Sequence, residues 1–281
     1  MKTRLMLALP LVLTAMLAAP HVVRAQAYPS KPIRLVVPYA AGGGTDFVGR
    51  AIADKLSAAF GQAIVVDNRA GANGVIGSEI VAKAVADGYT LLIGAAGTLV
   101  VAPHLGTLPF DPQKDLAPVT NLATSPFLVA VNPMVAADTI AELIALAKAS
   151  PGKLSFGSSG TGGAPHLATE LFKSLAGVAM LHVPYKGLSP ALTDLLGGQI
   201  QVLFIDIGLA IPYVKSGKIK ALAVTGTSRS NVLPEVPTVA ESGVPGYDGR
   251  TWYGLFAPAG TPAAIIEISR QRRSRRWPRL T

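Results

Sequence analysis

The 281-residue sequence contains no cysteine, which excludes disulfide bonds and a lipid anchor attached through cysteine. Only 15% of its residues are charged, and after the amino-terminal region no segment reaches the roughly 18 uninterrupted apolar residues typical of a membrane-spanning helix. The spacings H-x-H and H-E-x-x-H, which are typical of zinc sites, are also missing. We therefore predict neither a metal site nor a membrane-spanning body.

Positive charge is in excess overall but is missing from the middle of the chain. The 25 Lys and Arg residues against 16 Asp and Glu give a formal net charge of +9, which would ordinarily suggest a polyanionic partner. Three of the cations lie in the first 25 residues and six in the last 14. Residues 26–267 contain 16 cations and 16 acids, so they are neutral, and we expect no nucleic-acid partner.

The amino-terminal residues have the pattern of a secretory signal peptide. A basic segment, Met1 to Arg4, precedes an uncharged apolar run from Leu5 to Ala19, and Val23 and Ala25 stand at −3 and −1 of a cleavage site. As a helix, that run would span about 22 Å, which is short of a bilayer's ~30 Å hydrocarbon core. We predict that residues 1–25 are cleaved after Ala25 and that the mature protein is exported and not a lipoprotein.

From Pro32 onward, short apolar runs alternate with helical patterns, as in βα units around parallel sheets. The first series includes a predicted helix from Asn73 to Ala86, and the second begins with a strand at residues 154–156. Two extended stretches, residues 116–120 and 127–131, lie between them, followed by Asp138 as a predicted N-cap. The repetition predicts two similar α/β domains that face each other.

Each series carries its longest glycine-rich loop directly after its first strand. The loops are residues 40–46 and 157–163, and neither matches the dinucleotide fingerprint, because Phe47 and Pro165 stand where G-x-G-x-x-G requires glycine. Backbone N–H groups in such a loop, at the positive end of a helix, suit a carboxylate. A tight turn without a ligand is the alternative, but two loops in corresponding positions favour a ligand site.

A serine hydrolase is the enzymatic alternative. Ser158, Ser159, His166 and Asp206 could nominally supply its catalytic groups, but Thr161 stands where the nucleophile motif G-x-S-x-G requires its last glycine. His166 opens a predicted helix, where an orienting or packing role is more common than a catalytic one. We therefore predict that the protein is not an enzyme.

Seven short segments together form a specific pattern, although each segment alone is only modest evidence for a family. They are YPSKPIR (28–34), VPYAAGGGTD (37–46), NRAGANG (68–74), DGYTLL (87–92), VPYKG (183–187), KALAVT (220–225) and GLFAPAGTP (254–262). In this order and number, the segments resemble the Bug/TctC-type extracytoplasmic solute receptors of tripartite tricarboxylate transporters. The resemblance extends from about Tyr28 to Pro262.

The resemblance implies a type II periplasmic-binding-protein fold. This α/β fold has two α/β domains with a ligand cleft between them and crossing hinge strands. We expect residues 26–125 plus 250–268 to form domain 1 and residues 126–249 to form domain 2. The implied function is to capture a small carboxylate-bearing solute and deliver it to membrane permease subunits, as a monomer and without a cofactor.

The resemblance also implies the site residues. In the family, the loop after the first strand and the glycine-serine-threonine loop of the second domain pinch the ligand carboxylate. The expected ligand-binding residues are Tyr39, Ala41, Gly42, Gly43, Gly44, Thr45, Asp46, Gly97, Thr98, Ser158, Thr161, Gly162, Gly163, His166, Tyr185, Lys186 and Asp206. Ala95 and Ala96 replace a commonly polar family position, so the family's specificity for the far end of the solute is not carried over.

Asp46 is unusual beside a predicted anion site, because its charge would repel a carboxylate. One interpretation is that Asp46 caps its own helix and turns away from the ligand. The other is that it meets an amine or hydroxyl group of the ligand. We favour the cap slightly.

Residues 269–281 are predicted to be an aberrant Arg-rich tail. Thr261 and Pro262 begin a helix whose apolar face reaches Ile268, after which the helical periodicity is abandoned. We favour a frameshift that removed the last helices of domain 1, and a basic patch for nucleic acid or membrane is the alternative.

The leading functional hypothesis is a periplasmic receptor for a small carboxylate. A ligand-presenting partner of a signalling system is an alternative that the sequence does not separate from transport, and the serine hydrolase is a weaker one.

Overall fold

We describe residues 28–274, using a computed structural model of the protein. The predicted signal peptide, its cleavage site and residues 275–281 of the Arg-rich tail lie outside the described residues. Within residues 28–274, no helix has the length and apolar character needed to cross a membrane.

Nine strands of the described chain form one mixed sheet. Its order is β2-β1-β3-β9-β4-β7-β5-β6, and β8 pairs with β4. The strands are β1 (Ile33–Val37), β2 (Ile64–Asn68), β3 (Thr90–Ala95), β4 (Leu116–Val131), β5 (Ser155–Ser158), β6 (Leu181–Pro184), β7 (Val202–Asp206), β8 (Lys220–Val224) and β9 (Arg250–Pro258).

Helices connect most of these strands in the alternating order that the sequence predicts. They are α1 (Gly44–Phe60), α2 (Val75–Ala82), α3 (Ala102–Leu105), α4 (Ile140–Ala149), α5 (Ala164–Ala176), α6 (Leu188–Leu196), α7 (Ile207–Lys215) and α8 (Ala263–Ser274). Two irregular turns, a 3-10 turn at Ala72–Gly74 and a π turn at Gly97–Val101, precede α2 and α3.

The sheet divides into two lobes at the middle of β4. Residues Leu116 to Pro126 of β4 pair with β9, which also pairs with β3, and β1 lies parallel to β2 and β3. Residues Phe127 to Val131 pair with β7 and β8 instead. We call the β1, β2, β3 and β9 side the first lobe and the β5 to β8 side the second lobe. The residue bounds of the two predicted domains stay a prediction.

Side chains that alternate along β4 enter separate cores of the second lobe. Phe127, Val129 and Val131 pack with α4 and α5, whereas Leu128 and Ala130 pack with α6 and α7. This strand is therefore covered on both faces, as its continuous apolar sequence indicates. In both lobes, the first parallel strand ends at the cleft and passes into a glycine-rich loop and a helix.

Three local predictions are corrected. The stretches predicted at residues 116–120 and 127–131 are one continuous strand, because pairing with β9 continues through the polar segment between them. The helix predicted from Asn73 to Ala86 is shorter, because Asn73 has a left-handed backbone (φ 50°, ψ 40°) that a helix cannot contain. Thr139, not Asp138, caps α4, and it forms a capping box with Glu142.

The first residues of the Arg-rich tail belong to a helix. Helix α8 continues to Ser274, past Ile268, where the predicted apolar face ends. That residues 269–281 are an aberrant tail stays a prediction. Ser269 is buried, and Arg270 donates to the carbonyl oxygen of Val119 at 3.4 Å and to Glu267. These contacts attach the start of the tail to the first lobe.

Thr225 joins the two segments that pass between the lobes. Its hydroxyl oxygen accepts from the backbone N–H of Phe127 at 2.7 Å, and it lies 2.5 Å from the carbonyl oxygen of Gly249, just before β9. Thr225 is fully buried, so these polar groups have no access to water. The side chain therefore holds β4 and the approach to β9 together at the lobe boundary.

We predict that Thr225→Val lowers the free energy of unfolding by about 1–3 kcal/mol, because it keeps the shape but leaves buried backbone groups unpaired. Urea unfolding measures the change. Thr225→Ser is the matched control and should recover most of the loss, since it restores the hydroxyl. Equal stabilities for the valine and serine variants would contradict this role.

Candidate functional site

The loops that follow β1, β3, β5 and β7 meet at a small cavity between the lobes. Its volume is about 30 Å³, which is room for about two water molecules. None of the described residues that line it is Lys, Arg or His. They are Tyr39, Gly43, Gly44, Thr45, Ala95, Gly97, Phe127, Ser159, Ala164, Pro165, Leu188, Asp206, Thr251 and Tyr253.

A larger, open cavity of about 790 Å³ lies beside it and is also lined by both lobes. The first lobe contributes Ala72, Asn73 and residues from Ala102 to Leu108. The second lobe contributes three of the predicted site residues, namely Thr161, Tyr185 and Lys186. These three residues therefore lie at the mouth of the cleft and not in its small cavity.

The amino terminus of α1 points at the small cavity. Gly43, Gly44 and Thr45 form this end of the helix, and the N-cap residue, Gly43, has no side chain that could cap it. A helix carries partial positive charge at its amino terminus because its first N–H groups have no partner within the helix. The sequence prediction that the first glycine loop offers backbone donors to the cleft is consistent with this geometry.

Asp206 of the second lobe lies against this helix end. Its carboxylate accepts from the backbone N–H of Gly44 and, at 2.7 Å, from the hydroxyl of Tyr253. A Cβ added at Gly44 would overlap the carboxylate, so only glycine fits at this contact. Burial raises the pKa of Asp206, and these two hydrogen bonds offset part of the rise.

Asp46 faces its own loop and not the cavity. Its carboxylate accepts from the backbone N–H of Gly42 at 2.8 Å, from Arg50 at 2.9 Å and from Asn68 at 3.0 Å. Burial alone would raise the pKa of Asp46, but these hydrogen bonds outweigh it and hold the pKa below its ordinary value. Asp46 thus turns away from the cleft, as one half of the cap interpretation has it, but it does not cap α1, because Gly43 is the N-cap residue and Gly42 lies before the helix.

Tyr39 and Thr98 form a hydrogen-bonded pair at the floor of the first lobe. Their hydroxyl oxygens are 2.8 Å apart, and Thr98 also donates to the carbonyl oxygen of Asn73 at 2.6 Å. Burial raises the pKa of Tyr39 to about 12, so its hydroxyl keeps its proton. Tyr39 and the neighbouring Gly97 line the small cavity, whereas Thr98 is buried behind them.

The hydroxyl of Ser158 bonds within its own lobe. Its hydroxyl oxygen accepts from the backbone N–H of Gly160 at 3.1 Å and lies 2.6 Å from Nε2 of His182. It does not pair with His166, and Asp206 pairs with Tyr253 instead of a histidine. The groups of the serine-hydrolase alternative therefore do not form a triad. Ser159, the next residue along the chain, lines the small cavity in place of Ser158.

Two stacked histidines support the second glycine loop from behind. Nδ1 of His166 accepts from the backbone N–H of Gly162 at 3.1 Å, and the rings of His166 and His182 stack at 4.0 Å. Burial, with the neighbouring His166 as a smaller cause, lowers the pKa of His182 to about 4. Burial also lowers the pKa of His166, although Glu170 opposes this. Both imidazoles are thus neutral near pH 7.

The glycine loops allow the lobes to approach at backbone distance. A Cβ at Gly97 of the first lobe would lie only 3.0 Å from the Cα of Gly163 in the second. The backbone N–H of Ala40 donates to the carbonyl oxygen of Lys186 at 3.2 Å, so the Tyr-Lys-Gly turn meets the first loop through its main chain. The Tyr185 hydroxyl donates to Asp194, within its own lobe.

The structure brings the predicted site residues to the lobe boundary but gives them different positions. Ala41 and Gly42 are exposed beside the cleft, whereas Ser158 and Thr98 are buried behind the cavity wall. Sequence reasoning missed a further set of wall residues. They are Asn73, Ala95, Phe127, Ser159, Ala164, Pro165, Leu188, Thr251 and Tyr253. Asn73 lies inside the NRAGANG segment, Ser159 lies in the second glycine loop but is considered there only for a hydrolase, and Tyr253 directly precedes GLFAPAGTP. The apolar members look like ordinary core residues.

Comparison with known proteins identifies similar chains. A family model described as "Tripartite tricarboxylate transporter family receptor" matches residues 48–274, beyond the point where we predicted the aberrant tail to begin. The protein BugT of Bordetella pertussis is 40% identical over 260 residues, which cover 92% of this chain and 79% of BugT.

Two solved structures are also similar over most of their length. Rpa4515 of R. palustris, solved with adipate, is 40% identical with a TM-score of 0.83, covering 87% of this chain and 82% of that one. MatC of Rhodopseudomonas palustris, solved with bound malate, is 34% identical with a TM-score of 0.82, covering 87% and 84%. The predicted family resemblance and the periplasmic-binding-protein fold are both confirmed.

We predict that His182 makes stability depend on pH between about 6.5 and 4. The pKa of His182 is about 4 in the folded protein against an ordinary value of 6.5, so the unfolded chain takes up a proton first as the pH falls. The contribution of His182 is therefore complete above about pH 6.5 and is lost progressively toward pH 4. Urea unfolding of the wild-type protein and of His182→Gln over this range measures it.

The variant should show a flatter pH dependence than the wild-type protein, because glutamine can still bond to Ser158 but does not titrate. His104→Gln, at an exposed position, is the matched control and should follow the wild-type curve. Parallel curves for the wild-type protein and His182→Gln would refute the role of His182.

Proposed function

The chain belongs to the tripartite tricarboxylate transporter receptor family, and we propose that it binds a small carboxylate-bearing solute between its lobes and delivers it to the membrane permease of its transporter. As a solute receptor, the protein is not an enzyme. We further propose that it acts in the periplasm as a monomer after loss of residues 1–25.

One observation carries the proposal. The two glycine loops, each at the amino end of a helix, face the same cleft from opposite lobes. These helix ends carry partial positive charge where a bound anion would contact both lobes, and in α1 the N–H of Gly44 already donates to Asp206. The carboxylates adipate and malate are present in the structures of Rpa4515 and MatC, which supports the same solute class for this chain.

The hydrogen-bond donors at the cleft are sufficient to bind a carboxylate without a cationic side chain. A hydrogen bond to a charged group contributes roughly 1.5–3 kcal/mol, so roughly four to six backbone or hydroxyl donors could supply roughly 6–18 kcal/mol before the cost of association. If about 8 kcal/mol is left after that cost, the affinity is near micromolar. The lining of the small cavity, which has no Lys, Arg or His among its described residues, is consistent with such binding.

Binding requires the lobes to separate and close again. A cavity of about 30 Å³ holds about two water molecules and not a dicarboxylate. The lobes must therefore move apart for the solute to enter, and they must close around it less tightly than in this structure. A solute that contacts both lobes favours the closed arrangement only to the extent that it binds the closed arrangement more tightly than the open one. The middle of β4 and the segment that approaches β9 run between the lobes and are the hinge in this proposal.

Titration calorimetry with malate, adipate and citrate tests the binding step directly. For delivery, deleting the gene in the native host and measuring uptake of the bound carboxylate tests transport. Lost uptake supports the proposal, whereas normal uptake with altered transcription supports a sensory role.

We predict that Gly162→Val weakens carboxylate binding at least about tenfold. Gly162 has a left-handed backbone (φ +75°), and a side chain there would run into Leu105 across the cleft. The variant should therefore distort the second loop and obstruct closure. Calorimetry with the carboxylate that the wild-type protein binds measures the effect.

Gly217→Val is the matched control. Gly217 is also left-handed (φ +67°), but nothing lies within 4 Å of an added Cβ. This variant should lose stability through backbone strain while keeping the wild-type affinity. If Gly162→Val keeps that affinity as well, the proposal that the solute contacts the loops of both lobes is wrong.

A further inference from the structure

Two buried polar atoms at the lobe boundary have no hydrogen-bond partner. They are Nδ2 of Asn73, in the first lobe, and Oγ of Ser189, in the second. Buried polar groups in folded proteins nearly always have a partner, because an unsatisfied one keeps its desolvation cost. Each of the two atoms can therefore form a hydrogen bond with a partner from outside the protein.

Asn73 is held in an unusual conformation. Its backbone is left-handed (φ 50°), and its carbonyl oxygen accepts from Thr98 at 2.6 Å and from Tyr39 at 3.3 Å. Non-glycine residues in this region carry strain and concentrate at functional sites. These contacts fix the residue at the cleft, where it lines the larger cavity.

The side chain of Asn73 faces the glycine loop of the other lobe. Cβ of Asn73 lies 3.2 Å from the position that a Cβ at Gly160 would take. The side-chain oxygen lies 2.9 Å from the corresponding position at Gly163. Any larger residue at these two glycines would displace the amide.

Ser189 has the reciprocal position. It is the second residue of α6, and its hydroxyl oxygen lies 3.2 Å from the Cβ position of Gly42 and 3.8 Å from that of Gly43. Each glycine loop thus faces one unpaired polar side chain from the opposite lobe. No motif in the sequence indicates this crossed arrangement, because Asn73 and Ser189 are more than a hundred positions apart.

We propose that Asn73 and Ser189 are solute-binding residues, which donate hydrogen bonds from opposite lobes to oxygen atoms of the bound carboxylate solute. This inference rests on the proposed function and adds two contacts to it. The solute supplies the missing partners of both atoms when it occupies the cleft. Asn73 provides an amide donor beside the second loop, and Ser189 provides a hydroxyl beside the first.

Calorimetry with malate, adipate and the monoamide of each tests the role of Asn73. Asn73→Asp keeps the size and tolerates the left-handed backbone, but it replaces a donor with a negatively charged acceptor. Affinity for the dicarboxylate that the wild-type protein binds should fall at least about tenfold. Affinity for its monoamide should fall less, because the amide of the ligand can donate to the new carboxylate.

If Asn73 has a purely structural role, the affinities of Asn73→Asp for the dicarboxylate and for its monoamide should fall equally. That result overturns the proposal. Asn231→Asp, at an exposed position, controls for the added charge and should bind as the wild-type protein does. Asn73→Gly, which accepts the left-handed backbone, is the second variant if the aspartate variant does not fold. It should lose affinity about tenfold, and unchanged affinity overturns the role of Asn73.

Ser189→Ala removes only the hydroxyl and should weaken binding at least about threefold. Wild-type affinity in this variant would exclude Ser189 from the site. If the wild-type protein binds none of the carboxylates, the proposed function fails and this inference fails with it. Binding by the wild-type protein with no change in the Asn73 and Ser189 variants overturns this inference alone.

Discussion

Close approach between glycine backbones at the lobe boundary is the constraint on which the rest of the structure depends. Gly44 has no room for a side chain beside Asp206, and Gly97 has almost none beside Gly163. These contacts come from loops that follow three different strands, so the strands must end at a common edge. The sheet supplies that edge, and the mid-strand change of partners in β4 divides it into two lobes. With larger side chains at these positions, the helix ends could not face one cleft.

The same constraint explains how a neutral protein body can receive an anion. The net charge of +9 comes from the two ends of the sequence, because residues 26–267 contain 16 acids and 16 cations. Partial charges at the helix ends then replace formal ones, and Asp206 shows that the end of α1 can donate to a carboxylate oxygen. In the proposed function, the solute uses the same type of contact from both lobes.

Much of this architecture could be predicted from local sequence pattern. The alternation of apolar runs with helical patterns predicts the βα order, and the glycines after β1 and β5 indicate the cleft loops. The partners of individual side chains could not be predicted, because they depend on the packing of distant segments. Ser158 bonds to His182 and Asn73 faces Gly160, and neither pair is close in the chain. The continuous strand β4 was missed because pairing with β9 overrides its polar middle.

The central claim is that one solute engages both glycine loops at once. Hydrogen exchange followed by mass spectrometry, with and without saturating malate or adipate, tests it most directly, because exchange reports the opening of each backbone segment. The account predicts slower exchange in residues 40–47 and in residues 158–167 together, with α4 unchanged as an internal reference. Protection confined to one of the two loops, in a protein shown to bind the carboxylate, would contradict it.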